Sequence, residues 1–379
     1  MSGSSQNRES PHYSQKSRCP QNAAAALFSF SVQPGVSSGL AGGDEAHLVD
    51  LVGVAATGQV VDGSVQALQD GAVGSVAAQT LCDLVADVAG RFKVMKNGFT
   101  QSGVMDAYST KIANKLCKND VNAPVIEMTM LGITAKFTDE HIFAISGGIF
   151  DISLNNKPIK TNKAYVAKKG DILSIKGVKQ GLRCYLAVAG GFDVPLFMGS
   201  ASTNLKINVG GFEGRKLKAG DILKIGKAGK IKNIEKRELS ENTYDKIIKA
   251  RVVLGPQDDM FCENVLALFS KQQYTVTSDI DRMGIRLWGI ALRGKEKLEI
   301  ISDAITFGSI QITNSGMPIV LMADHQTTGG YAKIATVISA DLPKLAQAKP
   351  GDKIIFEIVD VNTAEKIAIK QKKYIDKLF

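Results

Sequence analysis

The sequence predicts a mainly β protein with a few short helices. Short apolar or alternating runs, bounded by Gly, Asn, Asp and Pro, recur through residues 93–379, as is typical of strands. A Gly-Asp turn that leads into an apolar strand occurs three times, at 168–173 (KKGDIL), 218–223 (KAGDIL) and 349–354 (KPGDKI). In such turns Gly can adopt a positive φ while Asp accepts hydrogen bonds from nearby backbone. Many short strands of this kind favour barrels or sandwiches.

The individual elements follow from the period of the apolar residues. Alternating or continuous apolar runs predict strands at 142–145, 165–166, 172–175, 184–188, 250–254 and 354–358. A period of 3.6 residues predicts a helix over 106–116 with Ile112, Ala113 and Leu116 on one side. The same period predicts a second helix over 260–269.

The charge changes abruptly along the chain. Residues 1–92 contain four Lys or Arg and eight Asp or Glu, so 42 of the 46 basic and 29 of the 37 acidic side chains belong to 93–379. We expect 1–92 to be an irregular N-terminal extension, disordered through about residue 43 because its Ser-rich composition buries little apolar surface. A polar stretch between 230 and 249 predicts the boundary between a first domain at 93–240 and a second at 250–379.

Composition argues against several classes of function. Five cysteines without a CxxC pair do not suit a zinc site or a disulfide framework, and they favour a cytoplasmic protein. No apolar run approaches the roughly 20 residues of a membrane span. Dispersed lysines and only 6% aromatic residues do not suit nucleic-acid binding. No GxxxxGK[ST] motif occurs, since GVAATGQV at 53–60 lacks the Lys, so we expect no classical ATP loop.

A series of sequence blocks has a specific order and spacing. The blocks are SGVMDAYSTKIANKLCKND at 102–120, LRCYLAVAGGFDVPLFMGSASTNL at 182–205, GGFEGRKLKAGD at 210–221, GPQDDMF at 255–261, SDIDRMGIRLWG at 278–289, SDAITFGSIQIT at 302–313, GMPIVLMADHQTTGGY at 316–331 and ADLPKLAQAKPGD at 340–352. Together they resemble the KipA-like family, also called allophanate hydrolase subunit 2-like, over about residues 93–379. Asp87 and Gly90-Arg91 resemble, more weakly, the Gln-Asp and Gly-Arg-Gly turn near the start of family members.

The resemblance implies a fold, a reaction and partners. The family includes the C subunit of 5-oxoprolinase and the carboxyltransferase part of urea carboxylase, and it implies two cyclophilin-like β-barrel domains. The implied function is that of the C subunit in a 5-oxoprolinase complex, which opens 5-oxo-L-proline to L-glutamate with ATP used by the complex. The implied partners are the A and B subunits, of the LamB/YcsF-like and KipI-like types, together with a small amide or lactam substrate.

Two other functions remain open at the level of sequence. The first is a biotin-dependent carboxyltransferase that acts on urea or a related amide, which would need a biotin carboxylase and a carrier as partners. Biotin is not expected on this chain, because VMKN at 94–97 lacks the following apolar residue and Lys96 is predicted to be a surface lysine. The second is a regulatory binding partner of a KipI-like subunit, which would bind tightly without turnover.

The loop ADHQTTGGY at 323–331 is the densest group of polar functions in the sequence. The predicted catalytic residues are Asp324, His325, Thr327, Thr328 and Tyr331, and Gln326, Gly329 and Gly330 are predicted to bind substrate. Paired glycines let backbone N–H groups approach a ligand and stabilise an oxyanion. The alternative is that Asp324 caps a turn that the glycines shape.

Further predicted substrate-binding residues lie outside this loop. They are Arg282, Arg286, Gln311, Ser200, Ser202 and Thr203. Asp281 would orient Arg282 toward a carboxylate, although a buried structural salt bridge is an alternative. The hydroxyls of 199–203 suit either an anion or amide pocket or a satisfied turn network. Asp106 is predicted to cap the first helix, and no metal site is predicted.

Overall fold

Strands dominate the structure, a computed structural model that describes residues 75–79 and 84–379. The strands β1 to β19 are, in chain order, Ser75–Gln79, Leu84–Ala86, Val125–Thr129, Thr134–Phe137, His141–Leu154, Lys157–Pro158, Lys163–Ala167, Ile172–Val188, Phe192–Asp193, Asp221–Ile225, Ile247–Leu254, Tyr274–Ile280, Gly284–Trp288, Glu299–Ala304, Ser309–Ile312, Pro318–Leu321, Thr328–Tyr331, Lys333–Val337 and Lys353–Ile358. The helices α1 to α4 are Ala107–Leu116, Glu263–Lys271, Leu342–Ala346 and Val361–Asp376, and 3₁₀ turns lie at Met95–Asn97, Ile234–Lys236 and Asp258–Met260. The predicted mainly β fold with few helices is confirmed. The disorder predicted before residue 43 and the segment 53–60 lie outside the described residues.

The first half of the described chain forms a ten-stranded sheet. Its order is β2-β3-β8-β4-β1-β10-β9, and β5 pairs with β6, β7 and β8. The antiparallel pair β5–β8 runs from Phe143 opposite Val188 to Leu154 opposite Leu173, and three register shifts interrupt it. Such irregularities bend strands, which helps the sheet to curve around an apolar core. Because β1 and β2 precede residue 93 and already join this sheet, we propose that the first domain begins before the predicted boundary.

The second half forms a closed barrel of seven strands. The order is β11-β18-β15-β16-β13-β12-β19, and the parallel pair of β11 and β19 closes it, with Ile248 opposite Ile354. Aromatic rings fill part of the core, where the centroids of Phe269 and Phe356 lie 4.9 Å apart. Strands β14 and β17 form a separate two-stranded ribbon. Residues 328–331 of the polar loop therefore lie in this ribbon and are not hydrogen-bonded into the barrel as one of its strands.

The first predicted helix is confirmed, and the second begins later than predicted. Helix α1 buries Ile112, Ala113 and Leu116, and the Asp106 carboxylate caps it by accepting a 2.8 Å hydrogen bond from the Ser109 N–H. Helix α2 begins at Glu263 because a 3₁₀ turn occupies residues 258–260. The sequence did not predict α3 or α4. Within the described ranges, no helix is long and apolar enough to cross a membrane.

The three Gly-Asp turns have the predicted geometry. Gly170, Gly220 and Gly351 have φ values of 91°, 88° and 90°, in the left-handed region that favours glycine. The carboxylate of the following Asp accepts a hydrogen bond from the N–H three residues before it, at 2.8, 2.6 and 2.9 Å for Asp171, Asp221 and Asp352 respectively. The predicted strands at 172–175 and 184–188 are the two ends of one long strand, β8.

Candidate functional site

The polar loop leaves the barrel after β16 and is held against the turn before β13. The backbone N–H of Asp324 donates to the carbonyl of Arg282 at 2.7 Å, and the N–H of Met322 donates to the carbonyl of Met283 at 2.8 Å. The N–H of His325 returns to the carbonyl of Met322 at 3.0 Å. These bonds fix the backbone on which the Asp324 and His325 side chains are mounted.

Arg282 connects the loop to the first half of the chain. Its Nε donates to Oδ2 of Asp324 at 2.8 Å, its Nη1 donates to the Glu127 carboxylate, and its Nη2 donates to the carbonyl of Gly103 at 2.5 Å. The other oxygen of Glu127 accepts the Met105 N–H at 2.8 Å. Burial alone would lower the pKa of Arg282, but the two carboxylates outweigh burial and raise it. The guanidinium is therefore a charged bridge across the boundary between the two halves.

The predicted pairing of Asp281 with Arg282 is wrong. Oδ1 of Asp281 instead accepts the N–H groups of Met283 and Gly284, at 2.7 and 3.0 Å. An Asp at the start of a tight turn satisfies the backbone ahead of it. Its carboxylate is consequently used locally, and Asp324 becomes the partner of Arg282.

His325 is buried and incompletely hydrogen-bonded. The side chain is 1% exposed, and its Nδ1 lies 2.7 Å from the carbonyl of Gln326. Its Nε2 has no hydrogen-bond partner among the described residues. Burial lowers the pKa of His325 below its ordinary value, against the opposing effects of the Gln326 carbonyl and the Asp324 carboxylate. The imidazole is thus favoured in its neutral form.

The hydroxyls predicted to bind substrate in the first half are held by Asp87. Oδ2 of Asp87 accepts from the Ser200 hydroxyl at 2.9 Å and from the Ala201 N–H at 2.6 Å. Oδ1 accepts from the Ser202 hydroxyl at 3.1 Å and from the Gly90 N–H at 2.7 Å. The segment that resembles the family's first turn is therefore a structural anchor, and substrate binding by Ser200 and Ser202 stays a prediction.

Arg91 places this anchor in electrostatic range of the polar loop. The side chain is 1% exposed, its Nη2 donates to the carbonyl of Ser202, and its guanidinium lies 5.4 Å from the centroid of the Phe197 ring. Burial lowers the pKa of Arg91, and the carboxylates of Asp324 and Asp87 act in the opposite direction. The charge of Asp324 in the polar loop therefore acts on Arg91, which is hydrogen-bonded to the segment 200–202 that Asp87 holds.

Comparison of the sequence with models of protein families identifies the family of this chain. The sequence profile described as "Carboxyltransferase domain, subdomain A and B" matches residues 97–358. The chain belongs to this carboxyltransferase-domain family. Among curated proteins, it is 37% identical over 289 residues to the C subunit of 5-oxoprolinase from Haemophilus influenzae and, to the same extent, to that from Escherichia coli. Each alignment covers 76% of this chain and 92% of the relative.

The carboxyltransferase-domain chain is also similar to larger fungal proteins. It is 34% identical over 316 residues to the urea amidolyase of Lachancea kluyveri, an alignment that covers 78% of this chain and 17% of that protein. Among solved structures, the K. lactis urea amidolyase gives a TM-score of 0.76 at 29% identity, covering 82% of this chain and 20% of that one. The chain therefore spans about a fifth of the length of these larger proteins.

Residues 328–331 of the loop form one strand of the β14–β17 ribbon, and Thr327 directly precedes that strand. Thr328 is exposed, and the hydroxyls of Thr327 and Thr328 form no hydrogen bond with the described residues. The carbonyl of Tyr331 accepts a 3.3 Å hydrogen bond from Nε2 of Gln311, which is 2% exposed. A Cβ on Gly329 would lie 2.7 Å from that Nε2, so the absence of a side chain at 329 lets the ribbon approach Gln311. The structure thus places Gln311 against the loop, and substrate binding by Gln311 stays a prediction.

Lys333 is a functional candidate that sequence reasoning missed. Its side chain is 4% exposed, and its Nζ donates to Oδ2 of Asp303 at 2.5 Å and to the carbonyl of Ala304 at 3.0 Å. Gln257 joins this group, because its Oε1 accepts the Lys333 N–H at 3.1 Å and its Nε2 lies 3.5 Å from the same Asp303 oxygen. A lysine that begins the apolar strand 333–337 was the available signal.

Arg286 and Thr203 lie away from this group, whereas Gly330 lies on the same ribbon as Asp303. Arg286 is exposed on β13, where Ile285 and Leu287 point into the barrel core and Arg286 points out. Thr203 is buried, and its hydroxyl donates to the carbonyl of Val85 at 3.0 Å. Gly330 lies on the ribbon itself, where an added Cβ would be 3.3 Å from the carbonyl oxygen of Ile300.

A wide cleft in the described part of the chain does not coincide with the polar loop. It has a volume of about 1480 Å³ and is lined by α1, by residues 239–249 and by residues around Gln347. None of the predicted catalytic residues lines it. The described residues also contain no group of three or more His, Cys, Asp or Glu that could hold a metal ion. The candidate site is therefore centred on the loop and the ribbon, which carry the hydroxyls of Thr327 and Thr328 and the Asp303 carboxylate that pairs with the buried Lys333.

Proposed function

We propose that this chain is the C subunit of a 5-oxoprolinase complex, which opens 5-oxo-L-proline to L-glutamate with ATP. The observation that carries the proposal is the similarity to two bacterial proteins of that name, at 37% identity over 92% of their length. A match of nearly full length supports the same role in a complex more strongly than a match to one part of a large protein.

The proposed reaction needs an activated amide carbonyl. Water adds to the lactam carbonyl carbon, the C–N bond breaks, and the products are the free amine and the new carboxylate of glutamate, while ATP is hydrolysed to ADP and phosphate. Negative charge develops on the carbonyl oxygen, and preorganised donors stabilise it. The unpaired hydroxyls of Thr327 and Thr328 are available for this purpose, and Thr328 is exposed to an incoming substrate.

We assign ATP binding to the partner subunits rather than to this loop. Gly329 and Gly330 lie in strand β17, extended and paired with β14, so their N–H groups do not converge as in a phosphate-binding turn. These residues do not fit a nucleotide phosphate, and we derive no step through ATP. The partners in this proposal are the A and B subunits of the complex, and we propose a cytoplasmic location.

A carboxyl transfer to urea or a related amide is the second candidate. It is favoured by the similarity to urea amidolyases, including a TM-score of 0.76 to a solved one. Urea and 5-oxoproline are both planar amides, so one pocket could accept either. The urea reaction would require a biotin carboxylase and a biotin carrier as partners.

Co-purification with an activity assay tests the proposal. The tagged full-length chain is purified with whatever binds it from its host, and glutamate release from 5-oxoproline is measured with and without ATP. We expect ATP-dependent release by the complex and none by the chain alone. Transfer of bicarbonate carbon to urea, dependent on a biotin protein in the eluate, would instead support the second candidate. Tight partner binding with neither activity would favour a regulatory role.

A further inference from the structure

Lys333 is a buried cation whose charge is compensated by one carboxylate. Its side chain is 4% exposed, and the residues that follow it, Ile334 and Ala335, are completely buried in the barrel. An ammonium in such surroundings is costly unless an anion and hydrogen bonds accompany it. Among the described residues, the ion-pair partner of Lys333 is Asp303. If Asp303 moved away, the buried ammonium of Lys333 would be left uncompensated, and binding of another anion there would be favourable.

Asp303, which compensates the charge of Lys333, lies on a separate and exposed strand. It lies on β14, which belongs to the two-stranded ribbon and not to the barrel, and its side chain is 50% exposed. The neighbouring Ile301 is 94% exposed, so this strand has little packing on its outer side. The hydrogen bond from Lys333 lowers the pKa of Asp303, which is therefore ionised. An anion that reached Lys333 from solvent would arrive on this side.

Two donors converge on a single oxygen of Asp303. Nζ of Lys333 lies 2.5 Å and Nε2 of Gln257 lies 3.5 Å from Oδ2. The orientation of the Gln257 amide is fixed, because its Oε1 accepts the backbone N–H of Lys333. An ammonium and an oriented amide N–H form a suitable pair for recognising a carboxylate.

We propose that Lys333 and Gln257 form a binding site for the carboxylate of a small ligand, and that Asp303 occupies this site until the ligand displaces it. The exchange conserves charge, since one carboxylate replaces another. Displacement costs little in hydration, because Asp303 is already half exposed and can return its carboxylate to water. The tethered Asp303 competes at high effective concentration, so the intact chain should bind weakly.

The register of the ribbon connects this site to the polar loop. Asp303 lies directly opposite Gly329, and Ala304 lies opposite Thr328. Because successive residues of a strand point to opposite faces, a ligand held at the Asp303 position would lie on the same face of the ribbon as Gly329, and the Thr328 side chain points to the other face. Arg282, in contrast, uses its guanidinium on Asp324, Glu127 and Gly103. Lys333 is thus better placed than Arg282 to hold a substrate carboxylate, and the choice of 5-oxoproline as ligand rests on the proposed function.

Binding to the full-length chain without partners tests the site separately from the activity. Calorimetric titration compares 5-oxoproline, acetate as a bare carboxylate, and 2-pyrrolidone, the same lactam without a carboxylate. Removing the tethered competitor with Asp303→Asn should tighten the binding of 5-oxoproline and acetate by about tenfold or more. Neither the unmodified chain nor the Asp303→Asn variant should bind 2-pyrrolidone measurably. Asp279→Asn, which changes an exposed Asp elsewhere in the second barrel, is the matched control and should alter nothing.

The second arm removes the cation. Lys333→Met combined with Asp303→Asn should abolish the gained binding, and circular dichroism checks that the variant is folded. If Asp303→Asn gains no carboxylate affinity, or if the gain survives in the double variant, the site does not exist. If the carboxylates bind as expected but the complex shows no 5-oxoprolinase activity, the binding site is supported and the proposed function is rejected. Activity that is insensitive to Lys333→Met would keep the function and reject the site.

Discussion

The guanidinium of Arg282 and the carboxylate of Glu127 form an ion pair between the two halves of the molecule, 155 positions apart in sequence. Asp324 shares the same guanidinium, so the polar loop is attached to the first sheet through one side chain. Glu127 is 1% and Arg282 14% exposed at the side chain, so water contributes little to solvating these charges. The position of the loop therefore depends on contacts to both halves.

Arg282→Met should strongly destabilise the protein. The substitution leaves the buried carboxylate of Glu127 and that of Asp324 without their cation, and breaking one partner of a buried pair costs about 3–5 kcal/mol. The free energy of unfolding, measured by urea denaturation, should fall by that amount. Arg286→Met is the control, because Arg286 is exposed on the adjacent strand and should change stability by no more than about 0.5 kcal/mol. Equal effects of the two substitutions would contradict a bridging role for Arg282.

Asp87→Ala should destabilise the first half by about 2–4 kcal/mol, because hydrogen bonds to a buried charged group are lost and their donors stay buried. The carboxylate accepts bonds from Ser200, Ser202 and the backbone. Asp193→Ala, at an exposed position, should have a small effect on the same urea transition. A stable Asp87→Ala variant would instead favour freely available hydroxyls at 200–202.

Stability should decrease as the pH falls below the ordinary pKa of histidine, 6.5, in a manner that depends on His325. Burial lowers the folded-state pKa, so the unfolded chain binds a proton at a higher pH than the native chain does. The stabilisation is complete above pH 6.5 and is lost as the pH falls toward the folded-state value. Urea transitions on both sides of that range should show a smaller pH dependence in His325→Gln than in the unmodified chain.

His141 provides the necessary comparison for this experiment. Its pKa is also lowered by burial, with Asp139 acting in the opposite direction. His141→Gln should therefore remove its own part of the pH dependence and leave that of His325. If His325→Gln keeps the full pH dependence while His141→Gln removes it, the buried imidazole of the loop titrates normally.

Thr328→Val should lower the turnover of the assembled complex by about 100-fold, the effect expected when one donor to a developing oxyanion is removed. The side chain keeps its shape, and the hydroxyl that is lost has no partner in the described chain, so stability should hardly change. Thr336→Val, on strand β18 of the barrel, should leave turnover intact. Unchanged glutamate release by the Thr328→Val complex would show that this hydroxyl has no part in the chemistry.

Several features could be predicted because they depend on neighbouring residues. The Gly-Asp turns require only a positive φ at one residue and a carboxylate three residues after an N–H group, and all three formed as predicted. Helix α1 and its Asp106 cap likewise follow from a period and one capping residue. The ordered sequence blocks were sufficient to indicate the family, which the profile match over 97–358 confirms.

The partners of the charged residues could not be predicted in this way. Asp281 is adjacent to Arg282, yet local backbone uses its carboxylate, and the arginine pairs with residues that are 42 and 155 positions away. From the sequence, Lys333 is only a polar residue at the start of a strand. Its pairing with Asp303 depends on the ribbon, which places the two side chains together.

The sequence by itself therefore determined the mainly β class, the local turns, the first helix and the family. The tertiary structure decided which carboxylate neutralises each buried cation, which hydroxyls remain unpaired and which residues share the boundary between the halves. The physical reason is the separation in sequence between the residues that interact. Turn and helix energies arise among residues a few positions apart, whereas the pairing of buried charges depends on which distant side chains the folded sheets place within hydrogen-bonding distance.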